Sequence, residues 1–487
     1  MVNFEGKNGY DMSPAEFKKF GYELIDWIAR YIENIENYPV LSQAEPGEIK
    51  NRIPSSPPEK GQNFGEIIKD VEKIILPGIT HWNHPKFMAY FNSTSSGPGI
   101  LGELLSAAFN VNGMIWQTSP AATELEHVVL GWLRQMMNLP EDFWGIIYDT
   151  ASISTLHAIA AAKTAAEDKY GKDYELSKLC VYFSDHAHSS VEKAARFIGV
   201  KNIRKIPVDE NFKMIPAELD KKIEADSTEN LIPFCVIATV GTTSTTSIDP
   251  VDEIAEICMT KDIWLHVDAA YGGTAAIVPE MRHILNGCEY ADSIVVNPHK
   301  WLFTPIDLSA FYIKKPDLLK KTFSLVHEYL KTEKDNAVIN YMDYGIQLGR
   351  RFRSLKLWFI IRYFGKEGLI NIIRENIRIS REFAELIEEH PDFEKTAPNP
   401  FALVCFRAKA NGLSENELNK LNEELLRRIN STGKSFLSHT KLNGKYVLRL
   451  AINGIHTGER HMLETWELIK RIFEQLKNEF GSKGNDK

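Results

Sequence analysis

An α/β fold is predicted, with a mostly parallel sheet covered by helices on both faces. Three features of the 487-residue sequence point to it. From about residue 145, short and nearly continuous apolar runs alternate with helical segments, the pattern of parallel strands buried on both faces. The runs are strand-sized, and even the longest, 231–240, is too short to span a bilayer. Polar residues able to carry chemistry cluster just after the runs end. That is where ligands of such sheets bind, beyond the carboxyl ends of the strands.

Taken in chain order, Ser13-Pro14-Ala15-Glu16 is a capping box with proline at the first helical position. The helix after it places Phe17, Phe20, Leu24, Trp27, Ile28 and Tyr31 on one broad face. That face must be buried, on the chain's own core or against a second subunit. Residues 49–62 are polar and Pro-rich, and read as an extended linker. Strands are predicted at 145–148, 179–183, 234–239, 264–267 and 293–296. Helices at 154–170, 216–223 and 251–259 separate them. After about residue 358 the pattern changes. A helix over 369–389, strands at 403–407 and 446–452 and a last helix over 458–479 make a smaller α+β unit, with a frayed tail at 481–487. Three parts follow: a helical N-terminal segment, 1–96, a large α/β domain, 97–357, and a small α+β domain, 358–487.

The net charge of −8 argues against a nucleic-acid surface. No zinc-finger spacing or P-loop is present, and no metal site is expected. The first ten residues hold no apolar signal core. Cys180, Cys235, Cys258, Cys288 and Cys405 are scattered, odd in number and never spaced as CxxC, which suits a reducing cytoplasm.

The chemistry centres on Lys300. It follows the run Ser293-Ile-Val-Val296 at once, after Asn297-Pro-His299. Upstream, Trp264-Leu-His-Val267 ends in Asp268. Alone, a lysine near a strand end reads as a solvated surface residue. Paired with an aspartate from another strand end, it suits pyridoxal phosphate. The lysine amine joins the cofactor aldehyde, and the aspartate keeps the ring nitrogen protonated so that the ring takes up electrons. Asp149-Thr-Ala-Ser-Ile-Ser-Thr155 opens an Ala-rich helix. Small residues at a helix N-terminus suit a phosphate, although a plain N-cap by Ser152 is the simpler reading in isolation. His188, in Asp185-His-Ala-His188, can stack on a flat cofactor and handle a proton. Thr242 and Thr243 follow the next strand and can bond the cofactor or a substrate carboxylate.

These segments resemble those of the pyridoxal-phosphate-dependent group II amino acid decarboxylases, above all the aromatic-L-amino-acid decarboxylases. The resemblance rests on His84-Pro85 with Ala89-Tyr90-Phe91, Ser119 to Glu126, Ser184 to Val191, Ala238 to Thr243, Trp264 to Tyr271, Asn297 to Trp301 and Leu348 to Lys356. It spans nearly the whole chain. It implies an aspartate-aminotransferase-like (fold type I) enzyme with a central seven-stranded sheet, acting as a homodimer. It further implies Lys300 as the Schiff-base lysine, Asp268 as the pyridinium partner and His188 as the stacked ring. Thr150, Ala151, Ser152, Thr243, Asn297 and His299 become cofactor contacts. Trp82, Tyr90, Phe91, Asn92, Ser93, Met114, Ile306 and Gly349 become substrate contacts, Met114 and Ile306 in the partner's pocket.

Residues 326–343 are rich in Lys, Glu, Asp and Asn without an apolar period, so composition alone indicates a solvated loop. By resemblance they form a catalytic lid carrying Tyr329, which protonates Cα with help from His188. The implied reaction is decarboxylation of Trp, Phe, Tyr or dopa to an arylalkylamine and carbon dioxide. One alternative is an aromatic acetaldehyde synthase, in which oxygen intercepts the reaction. Such sister enzymes typically carry Phe for the loop tyrosine or Asn for the stacking histidine, whereas Tyr329 and His188 are both present here. Glutamate or histidine decarboxylation fits less well, and an inactive cofactor-binding homologue is the remaining alternative. Several positions depart from the animal dopa decarboxylases. Ile153-Ser154 stands for a Glu-Ala pair, Asn92 for a Pro, Ser93 for a Thr, and Met114 and Ile306 each for a Phe, so the pocket is reshaped.

Overall fold

The computed structural model describes residues 11–171, 175–325 and 337–484. Its strands are β1 (Phe87–Met88), β2 (Trp144–Tyr148), β3 (Leu179–Ser184), β4 (Asn202–Ile206), β5 (Ile232–Thr239), β6 (Trp264–Asp268), β7 (Ser293–Val296), β8 (Ser309–Ile313), β9 (Phe393–Lys395), β10 (Leu403–Ala408), β11 (Phe436–Leu442) and β12 (Lys445–Ala451). The large sheet has seven strands in the order β2-β8-β7-β6-β5-β3-β4. Every pairing from β7 through β4 is parallel, and only β8 runs antiparallel to its neighbours β2 and β7. β5 shows why the sheet is buried on both faces. Cys235 and Ile237 enter one apolar core, and Val236 and Ala238 the core on the opposite face. The Ala151–Tyr170 helix covers the first of these faces, and its run of alanines lets it lie close to the strands.

The small sheet has the order β1-β11-β12-β10-β9. The two-residue β1 comes from the N-terminal part of the chain and pairs in parallel with Phe436 and Leu437. This pairing brings the Trp82–Ser93 segment beside the large sheet.

The predicted capping box forms: Ser13 and Glu16 cap each other's backbone at the start of the Pro14–Glu33 helix. No residue of that helix is buried, and Phe17 and Tyr22 stay 63% and 64% exposed. On the predicted face Phe17 is exposed, whereas Phe20, Leu24, Trp27, Ile28 and Tyr31 are half-buried, so the chain covers that face only in part. Its contacts are local, such as Phe20 against Phe64 at 4.8 Å and Trp27 Nε1 donating to Glu72 at 2.6 Å. An uncovered face lies on the Gly97–Phe109 helix. Gly99 and Gly102 let it press on the Ser354–Glu389 helix and on Pro305; a Cβ at 102 would sit 2.8 Å from Lys356 Cα. Leu101, Leu104, Leu105 and Phe109 remain exposed on the other side.

One expectation needs correction. Glu48–Arg52 is a short helix inside the stretch read as an extended linker. The helix expected over 369–389 is present, set off by the non-helical Gly365, at a φ of +63°, from a preceding helical stretch that starts at Ser354.

Candidate active site

Strand ends of the large sheet converge on a cavity of about 200 Å³, lined by Ala151, Ser152, His188, Asp268 and Lys300 among others. Asp268 is the last residue of β6 and is 5% exposed. One carboxylate oxygen accepts the Ala270 N–H at 3.1 Å. Lys300 lies in the Pro298–Trp301 helical turn directly after β7. Its Nζ stands 5.5 Å over the Phe91 ring, which stacks on Tyr271 at 3.8 Å. Trp301 continues that stack beyond Tyr271 at 5.1 Å and is fully buried, which anchors the helical turn that carries the lysine.

Burial lowers the Lys300 pKa, against the pull of Asp268. Removing the lysine from water favours the neutral amine, the nucleophilic form. His188 is the N-cap of the Ser189–Ile198 helix. Its Nδ1 accepts the Ser190 N–H at 3.2 Å and lies 2.7 Å from Ser190 Oγ. Nδ1 is thus an acceptor, and Nε2 carries the ring proton. The protein around the ring lowers its pKa by desolvation, which Asp268 opposes. His299 Nδ1 accepts the Leu308 N–H at 3.0 Å. Burial, with Lys300 adding to it, holds the His299 pKa near about 4, so this ring is neutral.

The donor set fits pyridoxal phosphate. Thr150 is the N-cap of the Ala151–Tyr170 helix but does not cap it through its side chain, because its Oγ1 bonds Asp149 at 3.0 Å. The first amides of that helix are left for an anion. Among the described residues, Asn297 Oδ1 and Thr239 Oγ1 are buried without a hydrogen-bond partner, and both residues line the cavity. A carboxylate, a primary amine, free helix amides and unpaired buried oxygens are what a phosphate-bearing pyridine aldehyde requires.

The cavity gathers all the predicted cofactor residues: Thr150, Ala151, Ser152, His188, Thr243, Asp268, Asn297, His299 and Lys300. The predicted substrate residues do not line it. Phe91 borders it through Lys300. Trp82 stacks on Phe87 and Tyr90, with Tyr90 half exposed at a φ of +54°. Asn92 is fully buried and donates to the Phe87 carbonyl, and Ser93 is half-buried next to it. Met114 packs beside Ile115 and Met342, while Ile306 is 68% exposed and Gly349 is exposed. Tyr329 and the 326–336 part of the expected lid lie outside the described residues. Sequence reasoning missed Ser190, whose signal is its place two residues after His188, and Tyr271, which carries the Phe91 stack.

This arrangement defines a class, an α/β enzyme that works through an amine-linked cofactor. Residues 46–409 match the pyridoxal-dependent decarboxylase conserved domain, and the chain belongs to that family. Phenylacetaldehyde synthase of Arabidopsis thaliana is 42% identical over 482 residues, 96% of this chain and 98% of that protein. Aromatic-L-amino-acid decarboxylase of Rattus norvegicus is 42% identical over 478 residues, 95% and 98% of the two chains. The crystal structure of Oryza sativa TDC with PLP and tryptamine superposes with a TM-score of 0.94 at 37% identity, covering 96% of this chain and 99% of that one. The cofactor of this chain is pyridoxal 5'-phosphate, and the fold is that of its structural neighbours. Among the described residues, no helix is long and apolar enough to cross a membrane.

Proposed function

We propose that the protein decarboxylates aromatic L-amino acids to arylalkylamines and carbon dioxide, with Lys300 carrying the cofactor. The observation that carries this reading is the convergence of Lys300, Asp268 and His188 on one cavity at the start of the Ala151–Tyr170 helix. When bound, pyridoxal phosphate supplies an aldehyde for the lysine amine and a protonated ring that takes up the electron pair of the broken bond. Asp268, one oxygen of which accepts the Ala270 N–H, would hold the proton on the ring nitrogen through the other. The amides of Ala151 and Ser152 would hold the phosphate. His188 would lie against the cofactor ring, with its Nε2 carrying the proton. Tyr329 delivers the proton to Cα.

Relatives named for aromatic substrates support the substrate class, and Phe91 with Tyr271 offers an aromatic wall beside Lys300. Aldehyde synthesis is the second reading, favoured by the 42% identity to a phenylacetaldehyde synthase. The sequence keeps both Tyr329 and His188, which favours amine release. A homodimer is proposed because the chain itself covers the Pro14–Glu33 helix only in part and leaves the Leu101–Phe109 stripe exposed. Such an interface should bury more than ~2,000 Å², and a monomer mass with full activity in light scattering would refute it. Five buried free thiols suit the cytoplasm as its location.

Reduction of the cofactor-loaded protein with borohydride, followed by peptide mass spectrometry, tests the site. One pyridoxyl group on Lys300 is expected, with none on the Lys300→Ala variant. Label on another lysine would overturn the assignment.

A further inference from the structure

Arg449 of β12 is 4% exposed, and no carboxylate is among its hydrogen-bond partners. Burying a guanidinium is costly unless its donors are satisfied. Here the satisfaction comes from three neutral acceptors on two parts of the chain. Nη2 donates to the Thr243 carbonyl at 2.7 Å and Nε to the Ser244 carbonyl at 2.9 Å. Nη1 donates to Ser438 Oγ at 2.8 Å. Ser438 Oγ also accepts the Tyr90 N–H at 3.1 Å, at the residue whose positive φ sends the chain into Phe91. The Arg449 guanidinium carbon sits 5.5 Å over the Phe91 ring, the same distance as Lys300 Nζ.

One side chain of the small sheet therefore holds two walls of the site. It grips the backbone of the Thr242–Ser247 turn, whose Thr243 lines the cavity, and it holds the Tyr90–Phe91 wall through Ser438 and by facing the ring. Thr246 has a φ of +60°, and the turn's own bonds link Thr242, Thr245 and Ser247 to one another. Outside the turn, Ser247 Oγ donates to the Asn211 carbonyl, Thr440 Oγ1 to Ser244 Oγ, and Cys405 Sγ shares the Ser244 carbonyl with Arg449, while the Thr243 carbonyl accepts from Arg449.

We propose that Arg449 is a positioning residue that sets Thr243 against Phe91 across Lys300, and so couples cofactor retention to the substrate wall. The inference rests on the cofactor reading of the cavity. A planar fork satisfies three acceptors in fixed directions, which a lysine ammonium cannot reproduce. Arg407 of β10 provides a control. It is equally buried in the same sheet but paired with Glu394 and Glu415, away from the site.

Arg449→Lys should fold, bind pyridoxal phosphate at least about tenfold more weakly, the scale of one hydrogen bond to a charged group, and raise KM more than it lowers kcat. Amides 242–247 should exchange faster in the cofactor-free protein. Ser438→Ala should raise KM several-fold with cofactor affinity unchanged, because it frees only the Tyr90 side. Arg407→Lys should leave cofactor affinity and KM unchanged. If Arg449→Lys does not fold, the Ser438→Ala split between KM and cofactor affinity decides alone. Unchanged affinity and exchange in folded Arg449→Lys, equal losses in Arg407→Lys, or a Ser438→Ala variant that leaves KM unchanged or loses cofactor would overturn the inference. A wild-type protein that binds no cofactor would instead remove the reading of the cavity itself.

Discussion

Arg350→Met should cost the protein about 3–5 kcal/mol of stability. β2 is an edge strand of the large sheet, so one side of its backbone has no neighbouring strand. Two side chains take that place. Glu126 accepts the Ile147 N–H at 2.9 Å, and Arg350 Nη2 donates to the Ile147 carbonyl at 2.8 Å. The two are themselves paired at 2.6 Å, with side chains only 6% and 4% exposed. Removing Arg350 leaves a buried carboxylate without its cation and an edge carbonyl without its donor. The double variant Glu126→Leu/Arg350→Met removes the stranded charge but leaves two buried backbone groups, each worth about 1–3 kcal/mol. It should be more stable than Arg350→Met yet remain below wild type. Urea unfolding of the cofactor-free proteins gives both values. A single variant within about 1 kcal/mol of wild type would refute the argument, and so would a double variant no better than the single. Cofactor affinity should fall too, because the same strand leads into Asp149 and Thr150.

Asp268→Asn should fold and hold cofactor but lose nearly all turnover, since an amide cannot keep the ring nitrogen charged; turnover within a factor of about two of wild type would show that Asp268 has another role. Tyr329→Phe should keep cofactor and substrate binding and divert product from amine to aldehyde, ammonia and peroxide; unchanged amine output would mean another group delivers the proton. Stability should fall on acidification from about pH 6.5 towards 4. Burial holds His84, His157, His266 and His299 near about 4, below the ordinary histidine value. The unfolded chain therefore binds more protons in that window, and each histidine contributes up to ~1.4 kcal/mol per pH unit. Asp249, which burial pushes up to about 6, works in the opposite direction. Equal urea midpoints at pH 7 and pH 5 would contradict the sign.

What was legible in the sequence follows from which interactions are local. The capping box at Ser13 and five strands of the large sheet are visible because their signals, a cap and continuous β-branched runs, lie within a few residues. β4 escaped because, as an edge strand, Asn-Ile-Arg-Lys-Ile carries polar side chains to solvent. β8 is a short antiparallel return with Ser and Ala at its start, and its periodicity is weak. β1 has two residues and is defined only by a partner near residue 436. Lys300, Asp268, His188 and the Thr150–Ser152 helix start stand out because strand ends concentrate them, whereas Asn297 and His299 enter only through the family resemblance. Arg449 was not: in Lys445–Ala451 it looks like a solvated arginine, and its burial depends on Thr243 and Phe91 from distant parts of the chain.

The most direct measurement supplies the cofactor-loaded protein with L-Trp, L-Phe, L-Tyr and L-dopa in turn and counts amine, carbon dioxide, aldehyde and peroxide together. Decarboxylation at the Lys300 site requires amine and carbon dioxide in equal amounts from at least one of them, with little aldehyde. Carbon dioxide matched by aldehyde and peroxide, or none from any of the four, would contradict it.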